Sequence, residues 1–234
     1  MKALIFDCDG VIADTERDGH RVAFNTAFER MGLDVEWGEG LYGELLAVAG
    51  GKERMRHYFD VSGWPPVAEE REELIRELHE EKTRLFMEIV ESGRLPVRSG
   101  VARLVDEASR QGMKLAVCST SNERGVHLIV ESLLGRSRKE RFDAILAGDV
   151  VKRKKPDPAI YLLARERLGV EAQECVVVED SRNGLLAAKA AGMKCLITKS
   201  GYTASEDFGE ADLVVEELGD PPHSHVGLDD LRKL

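Results

Sequence analysis

The chain opens on an unbroken apolar run, Ala3-Leu-Ile-Phe6, bounded by Lys2 and Asp7. A short run that is apolar at every position predicts a strand buried on both faces, as in a parallel sheet. Directly after it come two aspartates two positions apart, in Asp7-Cys8-Asp9-Gly10-Val11. Alternate side chains of an extended chain point the same way, so Asp7 and Asp9 face one side and Cys8 the other. Gly10 permits the sharp turn that follows. The pattern therefore sets two carboxylates at the carboxyl end of a buried strand, where open α/β sheets place their ligands.

After Asp14 the period of the pattern changes. Thr15 with Asp18 reads as a helix start. From Glu16 to about Met31 the apolar residues Ala23, Phe24, Ala27, Phe28 and Met31 recur at helical spacing, and Gly32 ends the run. Between Trp37 and Ser92 only helices are predicted: Glu39 to Ala49, Lys52 to Phe59 and Glu69 to Glu91, with Gly50-Gly51 as a tight turn. Ser92 to Gly100, rich in breakers, reads as a return linker. Strands and helices then alternate. Helices are predicted at Val101 to Gln111, Glu123 to Leu134, Pro158 to Leu168 and Leu185 to Ala191. Strands are predicted at Lys114 to Cys118, Ala144 to Ala147, Cys175 to Val178, Lys194 to Thr198 and Leu213 to Val215. This alternation predicts right-handed βαβ units and a Rossmann-like doubly wound parallel sheet. The expected organisation is an α/β core from residues 1–14 and 95–234, interrupted by an inserted all-helical cap domain at 15–94.

Composition narrows the partners. A net charge of -10 over 234 residues argues against nucleic acid or an anionic membrane as the main partner. No apolar run is long enough to span a bilayer. A strand beginning at the second residue leaves no room for a signal or transit peptide. The expected compartment is the cytoplasm, or the plastid stroma if a transit peptide has been removed, and the expected state is a monomer. The four cysteines, Cys8, Cys118, Cys175 and Cys195, lie in or beside core strands with no CxxC pair, and so read as small buried hydrophobes. His223 and His225, in a Pro-rich tail, read as solvated loop residues rather than a metal pair.

Three further strand ends carry polar groups of a particular kind. Ser119, in Ser119-Thr120-Ser121-Asn122, offers a hydroxyl beside backbone N–H groups at a helix start, an arrangement suited to phosphate. Lys155, in Lys-Lys155-Pro-Asp-Pro, brings a positive charge to the front of a proline-started helix. Glu179 and Asp180 add hard oxygen ligands of the kind Mg²⁺ takes. Singly, each has a plain structural explanation: a turn serine, a solvated basic run, acidic residues favoured at a helix N-terminus. Jointly, and in this order, they are hard to obtain by chance, and each could converge on Asp7 and Asp9 at the carboxyl edge of the sheet.

These motifs resemble those of the haloacid dehalogenase-like phosphatases: Asp-x-Asp-Gly-Val, the Ser119 strand end, Lys155-Pro and Glu179-Asp180-Ser181, with a helical insert between the first two. The resemblance implies that Asp7 is the nucleophile and becomes an aspartyl-phosphate, and that Asp9 is the general acid and then the base. It implies that Ser119 and Lys155 hold the phosphoryl oxygens. Mg²⁺ would sit on Asp7, the main-chain carbonyl of Asp9 and Asp180, with Glu179 nearby, and the cap would close over the substrate.

The cap should choose the ester. Gly50-Gly51-Lys52-Glu53-Arg54 brings flexible backbone and two cations to one loop, which suggests a second phosphate; solvated helix-start residues are the plain alternative. This segment, Ala-Phe-Asn25, Lys154-Lys155-Pro, and Tyr202-Thr with Glu206, Phe208 and Ala211-Asp212 are similar to the CbbY-type xylulose-1,5-bisphosphate phosphatases. That likeness implies substrate contacts from Glu16, His20, Tyr42, Gly51, Lys52, Arg54, Thr120 and Asn122. One departure is visible. The family's cap histidine usually follows the linker threonine by four positions, whereas His20 follows Thr15 by five, and one added residue turns an α-helix by about a quarter. Glu16 and His20 are then expected as i,i+4 neighbours on one face. The leading expectation is a Mg²⁺-dependent phosphatase of a sugar bisphosphate. The alternatives are a β-phosphoglucomutase-like phosphomutase, which shares all four motifs, and a phospho-receiver module without turnover, which a cap argues against.

Overall fold

The computed structural model describes residues 1–234 except 49, 67–69 and 224–225. Ala49 and Glu69, expected as helix ends, and His225 of the tail lie outside the described residues. In chain order the elements begin with β1 (Ala3–Phe6), a single π-turn (Glu16–His20), α1 (Arg21–Arg30), α2 (Glu39–Leu45), α3 (Gly51–Ser62) and α4 (Arg71–Glu91). They continue with α5 (Val101–Arg110), β2 (Lys114–Cys118), α6 (Glu123–Leu134), α7 (Arg136–Lys139), β3 (Ala144–Leu146) and α8 (Ala159–Leu168). The last are β4 (Cys175–Glu179), α9 (Arg182–Ala190), β5 (Lys194–Thr198), β6 (Leu213–Val215) and α10 (Leu228–Leu231). The short helices α7 and α10 were not expected; at four residues each they are too short to leave a periodic signature. Among the described residues no helix is long and apolar enough to cross a membrane.

The chain divides into two compact units, Met1–Asp14 with Gly93–Leu234, and Thr15–Ser92. The first holds a six-stranded, all-parallel sheet of order β3-β2-β1-β4-β5-β6. Its strands are apolar throughout because both faces are covered. Ala3, Ile5, Ala116, Cys118, Cys175, Val177, Cys195 and Ile197 share one cluster with Ile160, Ala164 and Leu168 of α8 and Leu185 of α9. The alternate residues Leu4, Phe6, Leu115, Val117, Val178 and Leu196 are also fully buried. Burying one such side chain contributes roughly 1.5–3 kcal/mol, so alternation with polar residues would forfeit half of that. All four cysteines are free and buried. Along the chain the connections run from β1 out to β3 on one side, then return to β4 and β5 on the other. The strand order therefore reverses at β1 and β4, and the crevice at the strand ends there is the usual ligand position.

Among the described residues the regular elements of the Thr15–Ser92 unit are all helices, packed on a cluster of aromatic rings. Trp37, fully buried, has its ring 4.8 Å from Phe24 and 4.9 Å from Phe28 between centroids. Asn25 holds it there, its amide donating to Trp37 O at 3.0 Å and its carbonyl accepting from Trp37 N at 2.8 Å. Asn25, one of the residues carrying the CbbY-type resemblance, is thus a buttress for an irregular turn.

The first helical turns differ from the expectation of one α-helix from Glu16. Thr15 is buried and makes no side-chain cap, and Glu16–His20 forms a π-turn, the Arg21 N–H bonding to Glu16 O. A π-turn takes one residue more than an α-turn between donor and acceptor, so it absorbs the added residue that would otherwise rotate everything after it. Glu16 and His20 are accordingly not i,i+4 neighbours on a regular α-helix.

Candidate active site

The sheet register builds the first half of the site. Phe6 is level with Val117 of β2 and Val178 of β4, so one step further Asp7 stands between the ends of those strands, its N–H bonding to Val178 O at 2.9 Å. Lys155 reaches in from the segment before α8. Its ammonium lies 2.7 Å from Asp7 Oδ1, 2.5 Å from Glu179 Oε1 and 3.0 Å from Cys118 O, so all three N–H bonds are used. The Lys155 side chain is only 8% exposed, and those of Asp7 and Glu179 are 10% and 1%. Burial by itself would lower the Lys155 pKa, but the Asp7 and Glu179 carboxylates overrule it and hold the lysine charged.

Asp9 sits one turn away. Its Oδ2 accepts from Ser121 Oγ at 2.6 Å and from Ser119 Oγ at 3.2 Å, and Ser119 Oγ accepts from Ser121 N at 3.1 Å. Ser121 was missed by the sequence reading, although it repeats Ser119 two positions on. Thr120 and Asn122 are exposed, and the Asn122 side chain caps α6, accepting from Gly125 N at 3.2 Å. Tyr161 was also missed: fully buried on α8, it donates its hydroxyl to Glu179 Oε1. The other Glu179 oxygen accepts from Asp180 N at 3.2 Å and Ser181 Oγ at 3.4 Å. Asp180 lies against Gly10, where any side chain would run into its carboxylate; Gly10 has φ +78, so the glycine is required twice. Arg98 ties the turn down, donating to the main-chain oxygens of Gly10, Thr198 (3.2 Å), Lys199 (2.6 Å) and Glu216 (2.8 Å).

Carboxylate oxygens of Asp7, Glu179 and Asp180 come within 4.8 Å of one another, and among the described residues these three form the one group of that kind able to hold a metal ion. Their chemistry fits a divalent cation: hard oxygen donors, all buried, facing a single ammonium. The imbalance shows in their acidity. Burial, aided by Glu179 and opposed by a Ser200 hydrogen bond and by Lys155 and Arg98, pushes Asp180 up to about 7. Burial also pushes Asp7 upward; Lys155 opposes this, while Glu179, Asp9 and Asp180 add to it.

A carboxyl group whose pKa is raised in the folded state binds its proton more tightly there than when unfolded. Its ionisation therefore removes stability as pH climbs from the ordinary carboxylate range through about 7. His20 and His79, both held low mainly by burial, act in the opposite direction below their ordinary range, so Asp180→Asn is the reference. In chelator, the melting temperature of the wild type relative to Asp180→Asn is expected to fall between pH 5 and 7 and to level off by pH 8, and a divalent cation is expected to restore it. Calorimetric melts over that window check this; a flat difference contradicts it.

In the helical unit the expected contacts fall into two groups. Tyr42 is buried and donates to Glu16 Oε2 at 2.6 Å. Arg54 is also buried, and its guanidinium donates to Tyr42 Oη at 3.0 Å and Leu45 O at 3.1 Å. Lys52 and Arg54 are in the first turn of α3, in the helix predicted from Lys52, and Gly51, expected in the tight turn, is its first residue after Gly50 at φ 92. His20 forms the second group: its Nδ1 is 3.0 Å from Lys82 Nζ and its ring centroid is 3.8 Å from that of Phe86. Burial, then the charges of Lys82, Arg54 and His79, hold His20 well below its ordinary range and hence neutral. Lys82, itself buried, escaped the sequence reading because it sits among the charged residues of α4.

Comparison with known proteins agrees with this geometry. The profile of the haloacid dehalogenase-like hydrolases matches residues 1–192. A CBBY-like protein of Arabidopsis thaliana is 58% identical over 230 residues, 97% of this chain and 72% of that protein. The crystal structure of CbbY from Rhodobacter sphaeroides in complex with phosphate superposes with a TM-score of 0.77 at 39% identity, covering 93% of this chain and 94% of the other. A mutant of that protein, in complex with xylulose-(1,5)bisphosphate, gives 0.76 at 38% identity over the same shares. With its four strand-end motifs gathered at one sheet edge and relatives aligned over nearly its whole length, this chain belongs to the haloacid dehalogenase-like hydrolases.

Proposed function

We propose that this chain, a haloacid dehalogenase-like phosphatase, removes one phosphate from a short sugar bisphosphate, xylulose-1,5-bisphosphate first, through an aspartyl-phosphate on Asp7. The observation that carries the reaction type is the Lys155 ammonium shared between Asp7 and Glu179, with Asp9, two residues after Asp7, accepting from two serine hydroxyls. An Asp7 oxygen forms a bond to phosphorus as the ester P–O bond breaks, and Asp9 gives its proton to the departing alkoxide. Water then attacks the aspartyl-phosphate while Asp9 takes a proton, which returns Asp7 and releases inorganic phosphate. Ser119 and Lys155 orient the phosphoryl oxygens. Asp7, Asp180 and the Asp9 carbonyl, with Glu179 beside them, would hold Mg²⁺, which would supply the positive charge that masks the phosphate dianion.

The choice of substrate is supported by the relative whose structure is in complex with xylulose-(1,5)bisphosphate. The chemistry of the helical unit is compatible, since Lys52 and Arg54 supply two cations, Arg54 being the planar fork that suits phosphate. Two isomeric bisphosphates that differ at one carbon must be told apart by hydrogen bonds to one hydroxyl. Polar groups desolvated by the bound substrate and left unpaired by the wrong isomer give strong rejection, and Glu16, His20, Tyr42, the main chain of Gly51, Thr120 and Asn122 are the candidates. The test compares kcat/KM for xylulose-1,5-bisphosphate, ribulose-1,5-bisphosphate and β-glucose-1-phosphate with its bisphosphate activator. A preference for the ribulose isomer, or efficient conversion of glucose-1-phosphate to glucose-6-phosphate, overturns the reading.

Lys52→Ala is expected to cost about tenfold or more in kcat/KM on the bisphosphate and much less on a simple monoester. Arg54→Ala is expected to hurt both substrates, because its guanidinium also holds Tyr42 and the end of α2. Equal losses for Lys52→Ala on both substrates would assign Lys52 a structural role.

A further inference from the structure

We propose that Tyr161 is a positioning residue of this site, acting through Glu179 to aim Lys155; the inference rests on the phosphatase reading above. A lysine is a point charge on a flexible stem, and its usefulness to a phosphoryl group depends on what fixes its direction. Lys155 is fixed by Asp7, Cys118 O and Glu179 Oε1, at 2.7, 3.0 and 2.5 Å. During turnover Asp7 is the reacting group, so its contact with Lys155 has to change. Glu179 and the Cys118 carbonyl are the anchors that stay.

Glu179 is itself gripped from several directions. Tyr161 Oη donates to Oε1, the same oxygen that Lys155 holds, and the Tyr161 ring lies 5.0 Å from the ammonium. The Asp180 N–H and the Ser181 hydroxyl occupy Oε2. Behind it, α9 carries Gly184, and any side chain there would collide with the Glu179 carboxylate. Tyr161 is fully buried in the face of α8 that packs on the sheet, among Ile160, Ala164 and Leu168. A phenylalanine would fill that space equally well. The hydroxyl is the part that packing does not explain, and Glu179 is the partner it is given.

The test measures steady-state kinetics and calorimetric binding of inorganic phosphate in saturating Mg²⁺ for the full chain, Tyr161→Phe, Glu179→Gln and the double variant. Losing one hydrogen bond to a charged group is expected to lower kcat/KM about tenfold in Tyr161→Phe and to weaken phosphate binding several-fold, with a melting temperature close to wild type. In the Glu179→Gln background the Tyr161 change is expected to add little, since the group it acts through is already altered. A purely structural role would instead give additive losses. Gly184→Ala, which crowds Glu179 from the other side, is expected to reproduce the defect and serves if Tyr161→Phe does not fold. Wild-type kcat/KM and phosphate affinity in Tyr161→Phe, additive losses, or an unimpaired Gly184→Ala would overturn the role of Tyr161. A wild type that releases no phosphate from any ester removes the underlying reading instead, so the two failures are distinct.

Discussion

Asp7→Asn is expected to lower phosphate release by at least about a thousandfold while leaving the fold intact. The carboxamide has nearly the shape of the carboxylate and keeps an oxygen for Lys155, which lies 2.7 Å from Oδ1. Its neighbours in β1 are buried and unchanged. What it lacks is the negative charge that makes an oxygen attack phosphorus and that draws a divalent cation. The expected pattern is therefore specific: a normal circular dichroism spectrum, no phosphorylated protein trapped from substrate, and residual turnover near background. Near-normal turnover would remove Asp7 as the nucleophile and with it the proposed mechanism.

Asp180→Asn is expected to raise the Mg²⁺ concentration for half-maximal activity by about a hundredfold or more. The same change is expected to make the metal-free protein more resistant to heat at pH 8. Asp180 titrates at about 7, so at pH 8 its ionised form stands buried with Glu179 and opposes folding. Removing that charge relieves the opposition, and removing the ligand weakens the metal. A gain in stability paired with a loss of function is what a charge kept for a cation should show. Chelator is expected to abolish wild-type activity, and Ca²⁺ to substitute poorly because it prefers a looser, larger shell. Full activity in chelator, or an unchanged Mg²⁺ requirement in the variant, would refute the metal assignment.

Much of the core was legible in the sequence because its signals are local. Ala3–Phe6, Lys114–Cys118, Lys194–Thr198 and Leu213–Val215 are strands with the bounds that their apolar runs predict. The polar residues at strand ends were legible for the same reason. A parallel sheet buried on both faces admits charge only where strands stop, so Asp7, Ser119 and Glu179-Asp180 mark the stops themselves. The period of 3.6 also found the helices of residues 15–92, although their ends moved: the helix predicted from Lys52 to Phe59 runs from Gly51 to Ser62.

Other features depended on what the chain meets in space. The strand order β3-β2-β1-β4-β5-β6 decides that Asp7 has Ser119 on one side and Glu179 on the other, and no local pattern encodes which strands become neighbours. The π-turn at Glu16–His20 is invisible to a count of apolar positions, because it changes the backbone bond and not the residue types. Tyr161 fell inside the helix predicted from Pro158 to Leu168 and Arg98 inside the breaker-rich linker, with nothing local to single out either. Their partners, Glu179 and the Gly10 carbonyl, lie 18 and 88 residues away. By itself the sequence determined which residues could do chemistry, since charge and hydroxyls at strand ends are a local cost that needs a purpose. The tertiary structure decided which of them share an oxygen and how their acidities move, because hydrogen bonding and desolvation depend on distance in space and not on distance along the chain.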